Sequence, residues 1–432
     1  MYDIILSKLE ERKNNPLEVV VSGMGFVSFG FISALQNMTG IRVPLVISRR
    51  PEDAKKLLSQ KGFKVKLSDN PSQIKDFSKK GYISISSDID LVSTYENDLV
   101  CEMTGTVSYA AEVALRAMDA DKHLITMNPE LQATLGSELK VIADKKKLVI
   151  TDIIGDQPGS IARLITQARL MGFKILVAGN MKRYMNKHAT VVEMTPWAKD
   201  KGLAPRQTVS FTDGTKQSIE MNLVANYFDM DILEFGMRGP QVEEVHEGLK
   251  LFDFNKIPDK GIVDYVIGKK LFPGVFVIVE HPDTNQKLYL RYLGMGDGPR
   301  YILFEPYHLI HLEVPGTIAK VAFFGQETIN NRVQNTRSIA VAKFNLTKGS
   351  KIDGIGGDTV YGVIDRAENS EDYLPIGLSE GAIVKHTLHQ DQPIKISDVE
   401  LPVNSATILS GLIKPQKKTP AFPFDFRFAH LL

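Results

Sequence analysis

The chain is poor in cysteine, in net charge and in long apolar runs. Its one cysteine, Cys101, excludes an intramolecular disulfide and fits a reducing compartment. A net charge of +1 over 432 residues gives none of the basic surplus of a nucleic-acid binder, so nucleic acid is not an expected partner. No stretch approaches the ~18 to 20 uninterrupted apolar residues of a membrane helix, so no membrane partner is expected either. The N-terminus mixes Asp3, Lys8, Glu10 and Glu11 with Ile4, Ile5 and Leu6. That amphipathic mixture lacks the basic start and apolar core of a secretion signal, and a leading helix in a cytoplasmic protein is expected.

What is present is ordinary for a globular protein: 43% hydrophobic and 24% charged residues, in a length that suits roughly two to four domains. The most organised stretch lies near the start. Val19, Val20 and Val21 read as a buried strand, Gly23 and Gly25 as a tight turn, and residues 26–35 as a helix. Such a turn lets backbone approach a pyrophosphate, whose charge the N–H groups of Phe26 and Val27 would attract. Where a third glycine is usual the chain has Ser28, and Gly30 comes two residues later.

A second strand over 41–47 ends in Ser48-Arg49-Arg50. An acidic residue there would bond the ribose 2′-hydroxyl of NAD; Arg49 and Arg50 suit a 2′-phosphate instead, which predicts NADP(H) over NAD(H). An arginine pair on a solvated turn is the plain alternative. Residues 51–97 alternate charged amphipathic helices with weak strands. The strand ending at Thr104-Gly105 and the strand ending at Asn128-Pro129-Glu130 each lead into a helix. Ligands of such sheets bind at the carboxyl ends of strands, so Thr104, Gly105, Asn128 and Glu130 are candidate contacts of the nicotinamide and its ribose. Asp156, which could simply cap the next helix, also stands at a strand's carboxyl end.

Residues 196–208 read as a lid or linker. In Asp213-Gly214-Thr215-Lys216 and the residues to Asn226, Asp213 reads as an N-cap of a helix over 213–229. Lys216 and Glu220 lie towards one edge of its apolar stripe, Asn222 and Asn226 towards the other. So many polar groups beside a buried face point to an active site; an exposed Lys–Glu pair is the bland reading. Strands are expected from 274 to 304 with a hairpin turn at 282–285. His308 and His311 are expected on one helical face, at a spacing that is not that of a zinc helix. From Ser338 short turn-linked elements suggest a compact β domain with its own core. The tail beyond Ile413 carries Phe422, Phe424, Phe426 and Phe428 without periodicity.

Gly23-Met24-Gly25, Thr104-Gly105, Gly155-Asp156-Gln157-Pro158, Asp213-Gly214-Thr215-Lys216 with Ile219-Glu220-Met221, and Pro306-Tyr307-His308-Leu309 together carry a resemblance. So do Leu374-Pro375-Ile376-Gly377-Leu378 and Ser397-Asp398-Val399. The chain resembles homoserine-dehydrogenase-like oxidoreductases with a C-terminal SAF (antifreeze-like) domain, a group that includes deoxyxylulose-phosphate-reductoisomerase-like enzymes. Ser28 and Ser48-Arg49-Arg50 depart from its pattern, and residues after Leu401 lie outside it.

The resemblance implies an α/β fold: a Rossmann domain over 1–155, an α+β catalytic and oligomerisation region over 156–335, an SAF domain over 336–402, and a tail over 403–432. It implies NADP(H)-dependent oxidation or reduction of a small polar metabolite, a sugar phosphate or an amino-acid-derived alcohol, by a homo-oligomer. A developing alkoxide needs a proton donor or positive charge. Lys216 is the first candidate and Lys182 the second, with Asp213 and Glu220 orienting them. Asp156 would hold a substrate hydroxyl, or a water on Mg or Mn should a divalent ion be used. The rival reading is a non-catalytic NADP-binding scaffold or carbohydrate sensor.

Overall fold

A computed structural model describes residues 2–414. The chain begins with α1 (Tyr2–Glu11), β1 (Leu17–Ser22), α2 (Phe26–Ala34) and β2 (Ile41–Ile47). It continues through α3 (Pro51–Gln60), β3 (Val65–Leu67), α4 (Pro71–Lys79), β4 (Ile83–Ser86) and α5 (Leu91–Thr94). Then come β5 (Leu99–Glu102), α6 (Val107–Asp119), β6 (His123–Thr126), α7 (Pro129–Lys145) and β7 (Ile150–Asp152). These seven strands form one parallel sheet in the order β3-β4-β2-β1-β5-β6-β7. The valine-rich strands are apolar on both faces because helices cover both. Val20, Leu45, Val100 and Leu124 face α6 and α7, while Val19, Val21, Val46 and Cys101 face α1 and α2. The connections reverse direction between β1 and β5, which opens the crevice of a doubly wound sheet there.

The chain then forms α8 (Gln157–Leu170), β8 (Lys174–Lys182), α9 (Val191–Lys201), α10 (Pro205–Thr212) and α11 (Thr215–Phe228). Next come α12 (Gly248–Leu251), β9 (Ile262–Ile267), β10 (Val275–Glu280), α13 (Gln286–Tyr292), β11 (Arg300–Glu305) and α14 (Ile310–Phe324). The second sheet is mixed, β11-β10-β8-β9, with only β8 and β9 parallel. It does not stay apart from the first. α14 returns to pack on α2, so closely that a Cβ at Gly30 would lie 2.9 Å from the His311 ring. Gly30 therefore serves helix–helix packing. Beyond it, the Asp152 N–H donates to Ile329 O across 2.8 Å at the edge of the first sheet.

Three sequence expectations change here. Residues 196–208 are mostly not loop: all but the connection 202–204 belong to α9 or α10. Thr190 and Glu193 cap α9 reciprocally, at 3.3 and 3.0 Å, and Pro196 falls on its exposed side. Residues 282–285 are not a hairpin turn, since the Asp283 carboxylate accepts from Asn285 N and Gln286 Nε2 and starts α13. His308 precedes α14 and its Nδ1 lies 2.7 Å from Pro273 O, so the two histidines do not share a helical face. Among the described residues no group of three His, Cys, Asp or Glu has a metal-holding arrangement.

The last part holds the antiparallel pairs β12 (Thr336–Ala342) with β13 (Val360–Arg366) and β14 (Ile383–Val384) with β15 (Val399–Glu400), then α15 (Ser405–Leu409). Its core is not separate as expected. Ala340, Leu346, Ile376 and Val384 are continuous with the α6–α7 layer, and α15 packs on α6. The phenylalanines at 422–428 lie outside the described residues.

Candidate functional site

The strand register sets a row of polar residues along the carboxyl edge of the first sheet: Ser22 beside Glu102, Glu102 beside Thr126, Thr126 beside Asp152. Gly23 has φ +102°, and a Cβ there would lie 2.8 Å from Met103 O, so the turn after β1 abuts the turn after β5. At Gly25 a Cβ would meet nothing within 4 Å. The Gly25 N–H donates to Ser28 Oγ at 2.7 Å, which is how serine serves where a glycine is usual. Open space over Gly25, facing the first N–H groups of α2 at Phe26 and Val27, fits the pyrophosphate of a dinucleotide. Gly105, at φ +69°, likewise has nothing within 4 Å of a Cβ position. Arg49 and Arg50 stand exposed at the end of β2. The Arg49 guanidinium lies 5.4 Å from the Tyr109 ring, and Arg50 is 3.8 Å from Asp53.

Glu102, which sequence reasoning missed, organises the next two turns. It is wholly buried; Oε1 accepts from Thr104 N at 2.7 Å and from the Thr104 hydroxyl, and Oε2 from Asn128 Nδ2 at 2.9 Å. Asn128 in turn caps α7 by accepting from Leu131 N. Burial raises the Glu102 carboxyl to about 7 against these hydrogen bonds. The signal was available: a single charged residue closes each of the otherwise neutral strands Leu99–Glu102 and Ile150–Asp152.

α11 is buried along nearly its whole length against α7, α8, α10, β9 and the C-terminal strands β12 and β13, which explains its many inward polar groups. Lys216 Nζ reaches Glu130 Oε1 at 3.2 Å, joining the second half of the chain to the start of α7. Lys182, at the end of β8, lies 3.8 Å from Glu220 Oε2 and 3.3 Å from Gln157 Oε1. Asn180 Nδ2 donates to Gln157 Oε1 at 2.7 Å and Glu220 Oε2 at 3.1 Å. Asp156 caps α8 through Gln157 N at 2.9 Å, and its charge acts on Asp152, Lys182, Lys216 and Glu220. The structure therefore brings together five predicted residues: Lys216, Lys182, Glu220, Asp156 and Glu130. Glu220 serves Lys182, although it was paired in sequence with Lys216.

Burial acts on the two lysines with opposite outcomes. It depresses Lys182, with Lys216 adding repulsion, and Glu220 only partly compensates, so Lys182 sits below an ordinary lysine. Burial pulls Lys216 down as well, but Glu130, Asp156, Glu220 and Asp152 overcome it and hold the ammonium above the usual range. Glu220 is raised by burial to about 7 despite both lysines, and Asp152 is raised by burial and by Asp156. Asp213 does not join them. Its Oδ1 accepts from Thr215 N at 2.9 Å, while Oδ2 pairs with the fully buried Lys343 at 2.9 Å. Gly214 is the residue at the α11 N-cap, in a left-handed conformation. Asn222 and Asn226 bond Thr336 and belong to the packing of β12.

Residues 23–151 match the NAD-binding domain of homoserine dehydrogenase, and residues 155–314 match the catalytic domain of oxidoreductase DRL. A homoserine dehydrogenase of Neisseria gonorrhoeae is 30% identical over 66 residues, which is 15% of this chain and 15% of the relative's length. The homoserine dehydrogenase of Thiobacillus denitrificans is 12% identical in sequence, with a TM-score of 0.44 over 88% of this chain and 98% of its own. A probable dehydrogenase from Thermotoga maritima is 11% identical, with a TM-score of 0.41 over 72% of this chain and 90% of its own. The two domain matches give residues 23–151 the character of an NAD-binding domain and residues 155–314 that of an oxidoreductase catalytic domain.

Proposed function

We propose that the protein oxidises or reduces a carbonyl or hydroxyl carbon of a small polar metabolite, using NADP(H) in preference to NAD(H). The observation that carries this reading is the division of labour between two buried lysines at one crevice. When bound, the dinucleotide supplies or accepts the hydride. Gly23, Gly25, Phe26 and Val27 would hold its pyrophosphate, Thr104, Gly105 and Asn128 its nicotinamide half, and Arg49 with Arg50 the 2′-phosphate. Lys182, with its depressed pKa, gives its proton to the substrate oxygen as negative charge develops there, or takes the hydroxyl proton in the reverse direction. Glu220 returns that proton. Lys216 stays an ammonium throughout and stabilises the oxyanion.

The boundaries near 155, 335 and 402 and the SAF character of 336–402 belong to this proposal. So do a cytoplasmic setting and self-association, which the exposed Leu288, Tyr289, Tyr292 and Leu293 on and beside α13 support. Two reaction types stay within it. A simple dehydrogenase would work after chelation, whereas a sugar-phosphate reductoisomerase using Mg or Mn would not. Calorimetry with NADPH and NADH, followed by a panel of carbonyl compounds and alcohols monitored through the absorbance of reduced nicotinamide, tests the whole. Tighter NADPH binding and turnover that Lys182→Met lowers by about 10²–10⁴ are expected. Absence of dinucleotide binding sinks the proposal.

A further inference from the structure

Gln157 has no role in the mechanism above, yet it touches the lysine that carries the proton. It opens α8 directly after the Asp156 cap and is 4% exposed. Its Oε1 accepts from Asn180 Nδ2 at 2.7 Å and from Lys182 Nζ at 3.3 Å. Both partners donate there. The Asn180 nitrogen also bonds Glu220 Oε2 at 3.1 Å, and a lysine ammonium has no acceptor. The Gln157 amide is therefore held one way round, with its Nε2 facing away from them. That nitrogen has no hydrogen-bond partner among the described residues. Unlike Asn180 Oδ1 and Asp156 Oδ2 close by, which are buried without partners, it is not closed off from its surroundings.

Covalent geometry then places this donor. The two ends of an amide are about 2.2 Å apart, so Nε2 lies within about 5.5 Å of Lys182 Nζ. One oxygen at about 2.9 Å from each bridges that gap. Charge favours an amide in this place. A further cation would depress Lys182 as Lys216 already does, whereas a neutral donor stabilises developing negative charge without repelling the ammonium. We infer that Gln157 is a further catalytic residue, whose Nε2–H donates to the reacting oxygen of the substrate alongside Lys182. This rests on the oxidoreductase reading above. In the reducing direction the substrate carbon gains a hydride from the reduced dinucleotide and the carbonyl π pair moves onto oxygen. The amide holds that oxygen until the Lys182 proton completes the alcohol, and the dinucleotide is left oxidised.

The test uses the full chain, NADPH, and whichever of propanal, acetone, pyruvate and glyceraldehyde is reduced fastest. Gln157→Glu keeps an oxygen for Asn180 and Lys182 but has no N–H donor; Gln157→Met has neither. Both should lose about 10²–10³ in kcat, with KM and the calorimetric NADPH affinity within about twofold of wild type. In Gln157→Glu the added carboxylate should also move the alkaline limb of the pH profile upward, as expected while Lys182 still faces position 157. Should Gln157→Met fail to fold, Gln157→Glu, which retains both hydrogen bonds, decides alone. A Gln157→Glu enzyme whose kcat stays within about threefold of wild type overturns the inference, and so does one whose loss lies in NADPH affinity. Gln157 would then only support Lys182. A wild-type protein that binds no dinucleotide, or reduces none of the four compounds, instead fails the oxidoreductase reading and takes this inference with it.

Discussion

Two buried lysine–carboxylate sites stand on α11 and the turn before it, and they differ in what is left over. Lys343 and Asp213 are both wholly buried, and the ammonium has three acceptors: Asp213 Oδ2, Ala189 O and Gly357 O. Its donors are all spent, so it ties the loop before α9, the start of α11 and the β12–β13 connection together. Lys216 and Lys182 are nearly as buried, with side chains 12% and 15% exposed, yet among the described residues they carry unspent donors beside unpartnered acceptors. Burial of an ion pair therefore does not identify chemistry; incomplete satisfaction does. A sealed pair binds parts of the chain together, while an unsealed one is where the proposed function puts the substrate.

That contrast can be broken experimentally. Lys182→Met should cost about 10²–10⁴ in kcat with the melting temperature little changed, measured by steady-state kinetics and calorimetry. Lys343→Met should do the reverse. Stranding Asp213 should cost about 3–5 kcal/mol of stability in denaturant titration. Lys216→Met should lower kcat by about 10²-fold and, by lifting its repulsion from Lys182, move the alkaline limb of the pH profile to higher pH. Arg49→Ala should weaken NADPH by about tenfold and leave NADH nearly unaffected, read by cofactor fluorescence. The finest test is Glu220→Gln. The carboxylate raises the pKa of Lys182, so its removal lowers that pKa and moves the alkaline limb to lower pH. A limb that moves up instead would take Lys182 out of the role of acid.

The linkage signs can be checked in the same preparations. Glu102 and Glu220 both have carboxyls raised to about 7 by burial. Their contribution to stability is present below the ordinary glutamate value and is lost as pH rises to about 7. Glu102→Gln should flatten that part of the stability profile.

Much of the first sheet was legible because parallel strands buried on both faces are long apolar runs, and because Gly23 is demanded by its left-handed turn. The identity of α11 was legible from periodicity, but its partners were not. From sequence, Lys216 and Glu220 are helical neighbours. In the fold, Glu130 from α7 reaches the lysine first, and β8 brings Lys182 to the glutamate. Asp213 was misplaced for a related reason: a local N-cap pattern says nothing of a lysine 130 residues further on. Residues 196–208 misled because proline and glycine look alike at helix ends and in loops.

Sequence by itself determined the dinucleotide-type βα turn, the alternation of strand and helix and which residues carry the ionisable groups of the proposed site. Those follow from interactions between near neighbours, which periodicity and turn chemistry record. Only tertiary structure decided which lysine is sealed, which is depressed and which stays charged. Those outcomes depend on desolvation and on charges from distant segments, and neither is written in the spacing of residues along the chain.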